Sequence, residues 1–400
     1  MDLHALKSRD FRNYLISFHL SLNGFWAQRV ILGWLAWDET GSAGFVGLVA
    51  FLNFFPTIFV SPLFGVIADK IDVRKGSIIS YSMAGIISAL FAFISFMDLS
   101  TPVLLAGFSL LTGLISSANH PMRMSLTPRL APAAQLSSVV ALTSLNFNLS
   151  RLIGPAIGGL LIQTIGAPLA LMVTAWTYTA PVLALIFIRP RQRHETTAGN
   201  PSGYFASLRQ GWNFAISSEI LRTALIFSAV GMLAGRSVLE TLPIIANGVF
   251  ERGPSGLGFM TAAAGAGATC AAILKAFTAA QQPDRFPRHV LILVMMIPCL
   301  VASLSPVTNF YMAILIVTAL GGSTTMLGIS LQTLAQMTIN DDFRGRVMGL
   351  WTTISIGSGA MGAMLMGIAI EGIGISAAQF SIGALFAIAG LVAIFRRKTA

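Results

Sequence analysis

The sequence predicts an all-α integral membrane protein whose twelve transmembrane helices form two pseudo-symmetric six-helix bundles. Three observations predict it. Only 10% of the residues are charged and 55% are hydrophobic, against about 25% charged in a water-soluble domain, and the mean hydropathy is +0.77. Apolar segments of membrane-crossing length recur along the whole chain. The two halves match one another at a nearly constant offset, with basic residues gathered in alternate loops.

A helix needs about 20 apolar residues to cross roughly 30 Å of hydrocarbon. Segments that meet this need in the first half are 12–37, 44–68, 77–97, 101–124, 138–163 and 167–188. Those in the second half are 218–247, 255–278, 289–306, 309–337, 347–370 and 374–395. Between the sets lies the longest polar interval of the chain, from Arg189 to Gln210. The predicted organisation is therefore an N-terminal bundle over 1–188, a cytoplasmic linker over 189–215 and a C-terminal bundle over 216–400. The 38 glycines suit helices that must approach closely where lipid supplies no hydrophobic drive. The polar start MDLHALKSRDFRNY precedes an apolar segment longer than a signal h-region, so no cleavable signal peptide is expected. Cys270 and Cys299 both fall in apolar segments and imply neither a metal site nor a disulfide framework.

Orientation follows from Lys and Arg in the short loops. One side receives Lys7, Arg9, Arg12, Lys70, Arg74, Lys75, Arg129, Arg189, Arg191, Arg193 and Arg209, then Arg285, Arg288, Arg344, Arg346 and the tail Arg396 to Lys398. The other side has Arg252 with the acids Asp38, Glu39, Asp98, Glu251 and Glu371. An even number of spans with both termini on the basic, cytoplasmic side satisfies all of these loops. The net charge of +10 is then mostly a cytoplasmic rim rather than a nucleic-acid footprint.

A shift of 207 lays Gly24, Ala27, Arg29 and Leu32 over Gly231, Ala234, Arg236 and Leu239. A shift of 208 lays Leu142, Gly154, Gly159 and Gly166 over Leu350, Gly362, Gly367 and Gly374. Internal six-helix repeats of this kind mark transporters that rock around a central site.

The loop after the second segment reads Gly65-Val-Ile-Ala-Asp69-Lys70-Ile-Asp72-Val-Arg74-Lys75, and the fifth segment carries Arg151-Leu-Ile-Gly154-Pro155-Ala-Ile-Gly158-Gly159. With GFWAQRVILGWLAWDETGS at 24–42, NHPMRMSLTPRL at 119–130, GRSVLETLP at 235–243 and FRGRVMGL at 343–350, the chain resembles the major facilitator superfamily. Within it the resemblance is to the enterobactin-exporter-like branch of bacterial efflux transporters. The first motif is similar to Gly-x-Leu-Ala-Asp-Arg-x-Gly-Arg-Lys, departing from it at Asp72 and Val73. The second is similar to the antiporter motif Gly-Pro-x-x-Gly-Gly, with Ser150 where that motif has an earlier glycine. The resemblance implies the major facilitator fold and gating roles for Asp69, Arg74, Arg151, Gly154, Pro155, Gly158, Gly159 and Arg344. Asp69 is expected near a helix N-terminus, where a carboxylate is favoured.

Ions inside a membrane are expensive and face cavities or partners. By the resemblance, helices 1, 4, 7 and 10 line the cavity, so Arg29, Trp34, Asn119, Arg123, Arg236, Gln332 and Gln336 are the substrate candidates. Arg236 and Glu240 are four apart and share a helix face. They read either as a static salt bridge or as a coupling switch in which a proton on Glu240 releases Arg236. Arg29 reads as an anion clamp or as a structural donor to backbone carbonyls. Arg123 and Arg151 lie near segment ends where long side chains snorkel, and read as structural and gating residues or as substrate contacts. The stripe Phe51, Phe54 and Phe55 reads as lipid-facing or core rather than as an aromatic cage.

No G-x-x-x-x-G-K-[ST] loop is present, no cofactor is called for, and no paired catalytic constellation indicates an enzyme. The expected function is secondary active transport, with protons as the coupling ion, exporting a small organic molecule by alternating access. Arginine outnumbers acid in the spans, which tilts the expected substrate toward an anionic or zwitterionic metabolite or drug. An uptake symporter or facilitator of the same fold, and a non-transporting receptor or lipid-handling protein, stay open. The expected setting is the bacterial inner membrane, multi-pass, with the lipid bilayer, substrate and proton as partners, no nucleic acid, and a monomer as the working unit.

Overall fold

The computed structural model describes residues 4–191, 204–277, 287–339 and 341–398. Residues 192–203 of the expected linker lie outside them. The described residues are nearly all helical, with no strand among them. In chain order the helices are α1 (Arg9–Thr40), α2 (Ala43–Lys70), α3 (Val73–Phe96), α4 (Pro102–Leu126), α5 (Leu136–Thr177) and α6 (Thr179–Phe187). Next come α7 (Tyr204–Ser217), α8 (Glu219–Glu240), α9 (Gly253–Ala276) and α10 (Arg288–Ser303), then α11 (Phe310–Thr338), α12 (Asp341–Ile373) and α13 (Ile375–Lys398).

Among the described residues nine helical tracts are long and apolar enough to cross a membrane, and one of them, 136–187, is 52 residues long. That tract covers two of the expected spans. It breaks at Gly166, whose φ of 80° and ψ of 161° lie outside the helical region and are open to a residue without Cβ. The 32-residue α1 is not among the nine: His19, Asn23, Gln28 and Arg29 dilute its hydropathy, because α1 is built to face polar groups inside the protein. Three helix starts carry side-chain caps that pair otherwise unmatched first-turn N–H groups. Asp72 accepts from the Arg74 and Lys75 amides at α3, Thr101 from Leu104 at α4, and Asn309 from Tyr311 and Met312 at α11.

The chain divides by contact into two compact units. One comprises Met1–Gly41, Leu52–Ala198 and Arg252–Ala262; the other comprises Ser42–Phe51, Gly199–Glu251 and Ala263–Ala400. Each unit is organised around one crossing of glycine on backbone. In the first, a Cβ at Gly154 would lie 2.6 Å from the Trp26 Cβ, and one at Gly158 would lie 2.8 Å from the Ala27 carbonyl, so α1 and α5 touch along their backbones. In the second, Gly362 of α12 meets the Leu233 backbone of α8. Gly154 pairs with Gly362 and Trp26 with Leu233 under the shifts of 208 and 207, so the internal repeat is a repeat of contacts. Both units continue the pattern: Gly159 closes on Gly258 in the first, at 2.7 Å from a built Cβ to the Cα, and Gly367 closes on Gly47 in the second, at 3.1 Å.

Large apolar side chains cover the outside. Val103 and Phe187 are 81% and 83% exposed, and Ile86, Leu315 and Phe395 are also exposed. In water such a surface would be an interaction liability; against lipid it is the solvent face, and the helices keep their backbone groups paired internally.

Candidate functional site

In the first unit Arg29 of α1 is half-buried beside aromatic rings. Its guanidinium carbon lies 4.3 Å from the Phe54 centroid and 5.2 Å from the Trp26 centroid. Phe54 thus holds a cation and is not simple packing, contrary to the reading of the 51–55 stripe. Both rings present negative π faces to the charge, and the planar guanidinium is the cation best shaped to use them. Arg29 also borders a polar cavity of about 20 Å³ shared with Gln28, Asn53, Ser88, Thr112 and Tyr178, roughly the room one water needs. The walls are tied together. The Tyr178 hydroxyl donates to Gln28 Oε1 at 2.9 Å, Gln28 Nε2 donates to Ser88 Oγ at 2.9 Å, and Asn53 Nδ2 donates to Thr112 Oγ1 at 3.0 Å.

Nearly three turns toward the N-terminus, α1 and α5 are stapled by polar groups centred on His19. His19 Nδ1 contacts Asn146 Oδ1 at 2.5 Å and Ser150 Oγ at 3.0 Å, and Nε2 contacts Asn23 Nδ2 at 3.1 Å. The signal was available: His19 and Asn23, like Asn146 and Ser150, are four apart and share a helix face. Ser150, the departure from the antiporter motif, is fully buried in this staple. Nearby, Asn23 Oδ1 and Trp26 Nε1 are buried with no hydrogen-bond partner among the described residues, a state that costs about 1–3 kcal/mol for each group.

In the second unit Arg236 Nη1 donates to Glu240 Oε1 at 2.8 Å, with side-chain exposures of 30% and 13%. The spacing of four places both on one face of α8, as read from the sequence. The Arg236 stem lies against α12 at Gly359, where a Cβ would sit 3.1 Å from Arg236 Cγ. The pair therefore touches an element that would have to respond if Arg236 moved.

The other candidates are scattered. Trp34 is buried, away from the Arg29 cavity. Asn119 of α4 donates to Ser80 of α3 at 3.0 Å, which is interhelical glue. The Arg123 guanidinium stacks over Phe18, 4.8 Å from its centroid. Arg151 is half-buried, and Gln332 and Gln336 are both exposed one turn apart on α11.

The gating set resolves into packing for most of its members. Gly154, Pro155, Gly158 and Gly159 are buried, and the three glycines form the backbone seam described above. Arg74 donates to the Leu185 and Ile186 carbonyls at 2.7 and 2.6 Å, so it caps the C-terminal end of α6. The expected place of Asp69 near a helix N-terminus is corrected. It falls in the last turn of α2, and the carboxylate at the following N-terminus is Asp72, because only Ile71 and Asp72 separate the helices. The side chains of Asp69 and Arg344 lie outside the described residues.

Comparisons with known proteins agree on one family. The family model described as transmembrane secretion effector matches residues 2–399. The multidrug efflux pump Tap of Mycobacterium tuberculosis is 24% identical over 377 residues, covering 91% of this chain and 88% of the pump. The staphyloferrin A transporter of Staphylococcus aureus is 26% identical over 235 residues, 58% of each chain. A crystal structure of a mutant nucleoside transporter NupG superposes with a TM-score of 0.76 at 14% identity, covering 98% of this chain and 99% of that one. At that identity the likeness shows the fold.

Proposed function

The chain belongs to the transmembrane secretion effector family of the major facilitator superfamily, and from that premise we propose that it exports a small organic anion or zwitterion by proton-coupled alternating access. It is a multi-pass membrane transporter and not an enzyme. Export is supported by the similarity to the multidrug efflux pump Tap, and the segments at 24–42, 119–130, 235–243 and 343–350 support the enterobactin-exporter-like branch.

Coupling rests on one observation, the 2.8 Å Arg236–Glu240 pair inside an apolar helix. A proton taken up by Glu240 removes the charge that holds Arg236, and Arg236 then interacts with α12 or with substrate instead. Substrate charge rests on Arg29, a cation stacked on Trp26 and Phe54 at the edge of a polar cavity. The working setting is the bacterial inner membrane, with both termini cytoplasmic, substrate and proton as partners, and a monomer as the functional unit. Asp69, Arg151 and Arg344 are assigned to gating on the motifs that contain them.

The test is proton movement in everted vesicles, read by a pH-sensitive dye on addition of matched anionic, zwitterionic and cationic organic compounds. Dequenching by anions or zwitterions is expected. A response to cations alone overturns the substrate class, and acidification in place of dequenching overturns export in favour of symport.

Arg29→Lys is a sharper probe of the same site. It keeps the charge but loses the planar stacking, worth about 0.5–2 kcal/mol. The expected result is a rise of about tenfold in the concentration of anion giving half-maximal dequenching, with the protein otherwise folded. An unchanged value would assign Arg29 to structure.

A further inference from the structure

On the lipid-facing side of the first unit, α3, the second part of α5 and α6 enclose a groove of about 570 Å³, within the ~300–1,000 Å³ range of small-molecule sites. Its lining is nearly all apolar, with Ile86, Ala89, Met172, Trp176 and Leu183 among the walls. Ile86, Trp176 and Leu183 are exposed, so the groove opens outward, where the membrane supplies hydrocarbon rather than water.

Tyr178 gives this groove a meaning beyond a lipid contact. It lines both the groove and the small polar cavity that holds Arg29. Tyr178 thus stands between the two, its hydroxyl hydrogen-bonded to Gln28, which is itself held by Ser88. Turning the Tyr178 ring breaks this hydrogen bond and loosens its packing in the core cluster, and it opens the apolar groove toward the cavity that Arg29 borders. Such a joined space fits a molecule with a hydrocarbon body and a negatively charged head.

We propose that the groove between α3 and α6 receives the hydrocarbon part of an amphipathic organic anion from the bilayer, and that Tyr178 is the movable partition its head passes to reach Arg29. The proposal rests on the transport reading for its purpose and narrows its substrate class, but the site itself is testable without transport. Trp176 borders the groove and Trp26 lies under Arg29, so each end of the path carries its own fluorophore.

The experiment uses the full chain in phosphatidylcholine nanodiscs, titrated with 9,10-dibromostearate, 2-bromostearate and the uncharged 9,10-dibromostearamide. The chain-brominated acid is expected to quench saturably, and Trp176→Phe to remove that component. Ala89→Phe, which fills the groove, is expected to raise the half-saturating concentration at least tenfold. The 2-bromo acid, with its heavy atom beside the carboxylate, is expected to quench a further component that Trp26→Phe removes. Quenching that rises linearly with probe reports bulk lipid contact and overturns the site. Equal half-saturation for the amide overturns the anionic head, and absence of the Trp26 component overturns the Tyr178 partition. Saturable quenching in a protein that moves no proton in the vesicle assay would leave the groove standing while the transport reading falls.

Discussion

Glu240→Gln is expected to abolish uphill export while leaving exchange of substrate down its own gradient. The amide keeps the shape of the carboxylate and can still accept the Arg236 hydrogen bond, now at 2.8 Å, but it can neither take up nor release a proton. The size of the effect follows from what a switch must do. Driving a two-state equilibrium from 1:99 to 99:1 takes about 5.5 kcal/mol. Breaking a buried ion pair by neutralising one partner costs roughly 3–5 kcal/mol, and at 30% exposure Arg236 sits toward the lower end. In this part-buried pair, protonation of Glu240 therefore supplies at most about half of that bias, and its loss should reduce proton-driven accumulation at least tenfold. The measurement is dye dequenching beside radiolabelled exchange in the same vesicles. Uphill export at the wild-type rate would make the pair a static salt bridge and move coupling elsewhere.

Gly158→Val is expected to disrupt the α1–α5 crossing of the first unit. A Cβ there would lie 2.8 Å from the Ala27 carbonyl oxygen and 3.0 Å from its Cα. Both are backbone atoms and cannot rotate aside, so α1 and α5 must separate. Overpacking typically costs 1–3 kcal/mol where side chains can adjust, and more is expected where only helices can. Separation would also pull apart the His19–Ser150 and His19–Asn146 contacts of the same crossing. Gly107→Val is the matched control, since nothing lies within 4 Å of a Cβ at that position and the helix-propensity penalty is shared. The expected outcome in detergent is a melting temperature lowered by several degrees and loss of the monodisperse peak for Gly158→Val, with Gly107→Val close to wild type. Equal behaviour of the two variants would mean that the glycine motif is not a packing seam.

Much of the architecture was legible because the membrane imposes it one residue at a time. A segment either has the hydropathy to cross or it does not. The repeat was legible for a similar reason, since glycines at the crossings have no tolerated substitute, and Gly154 and Gly362 kept their place in both halves. The Arg236–Glu240 pair was legible because it lies within one helix, where spacing alone sets geometry. α1, which falls outside the nine most apolar tracts, carries Arg29, Gln28 and the His19 staple.

What the sequence by itself determined is therefore local or additive: an all-helical membrane chain, its internal repeat, and an ion pair four residues apart. Tertiary structure decided everything that depends on which residues of different helices meet. It turned the antiporter-like glycines into a backbone seam, Arg74 into a cap for α6, and Phe54 into a seat for Arg29. It also brought Tyr178 to Gln28 across 150 positions. The physical reason is that hydropathy and helical periodicity say which face of a helix is polar, whereas rotation and crossing point are set by close packing, and only packing chooses the partner.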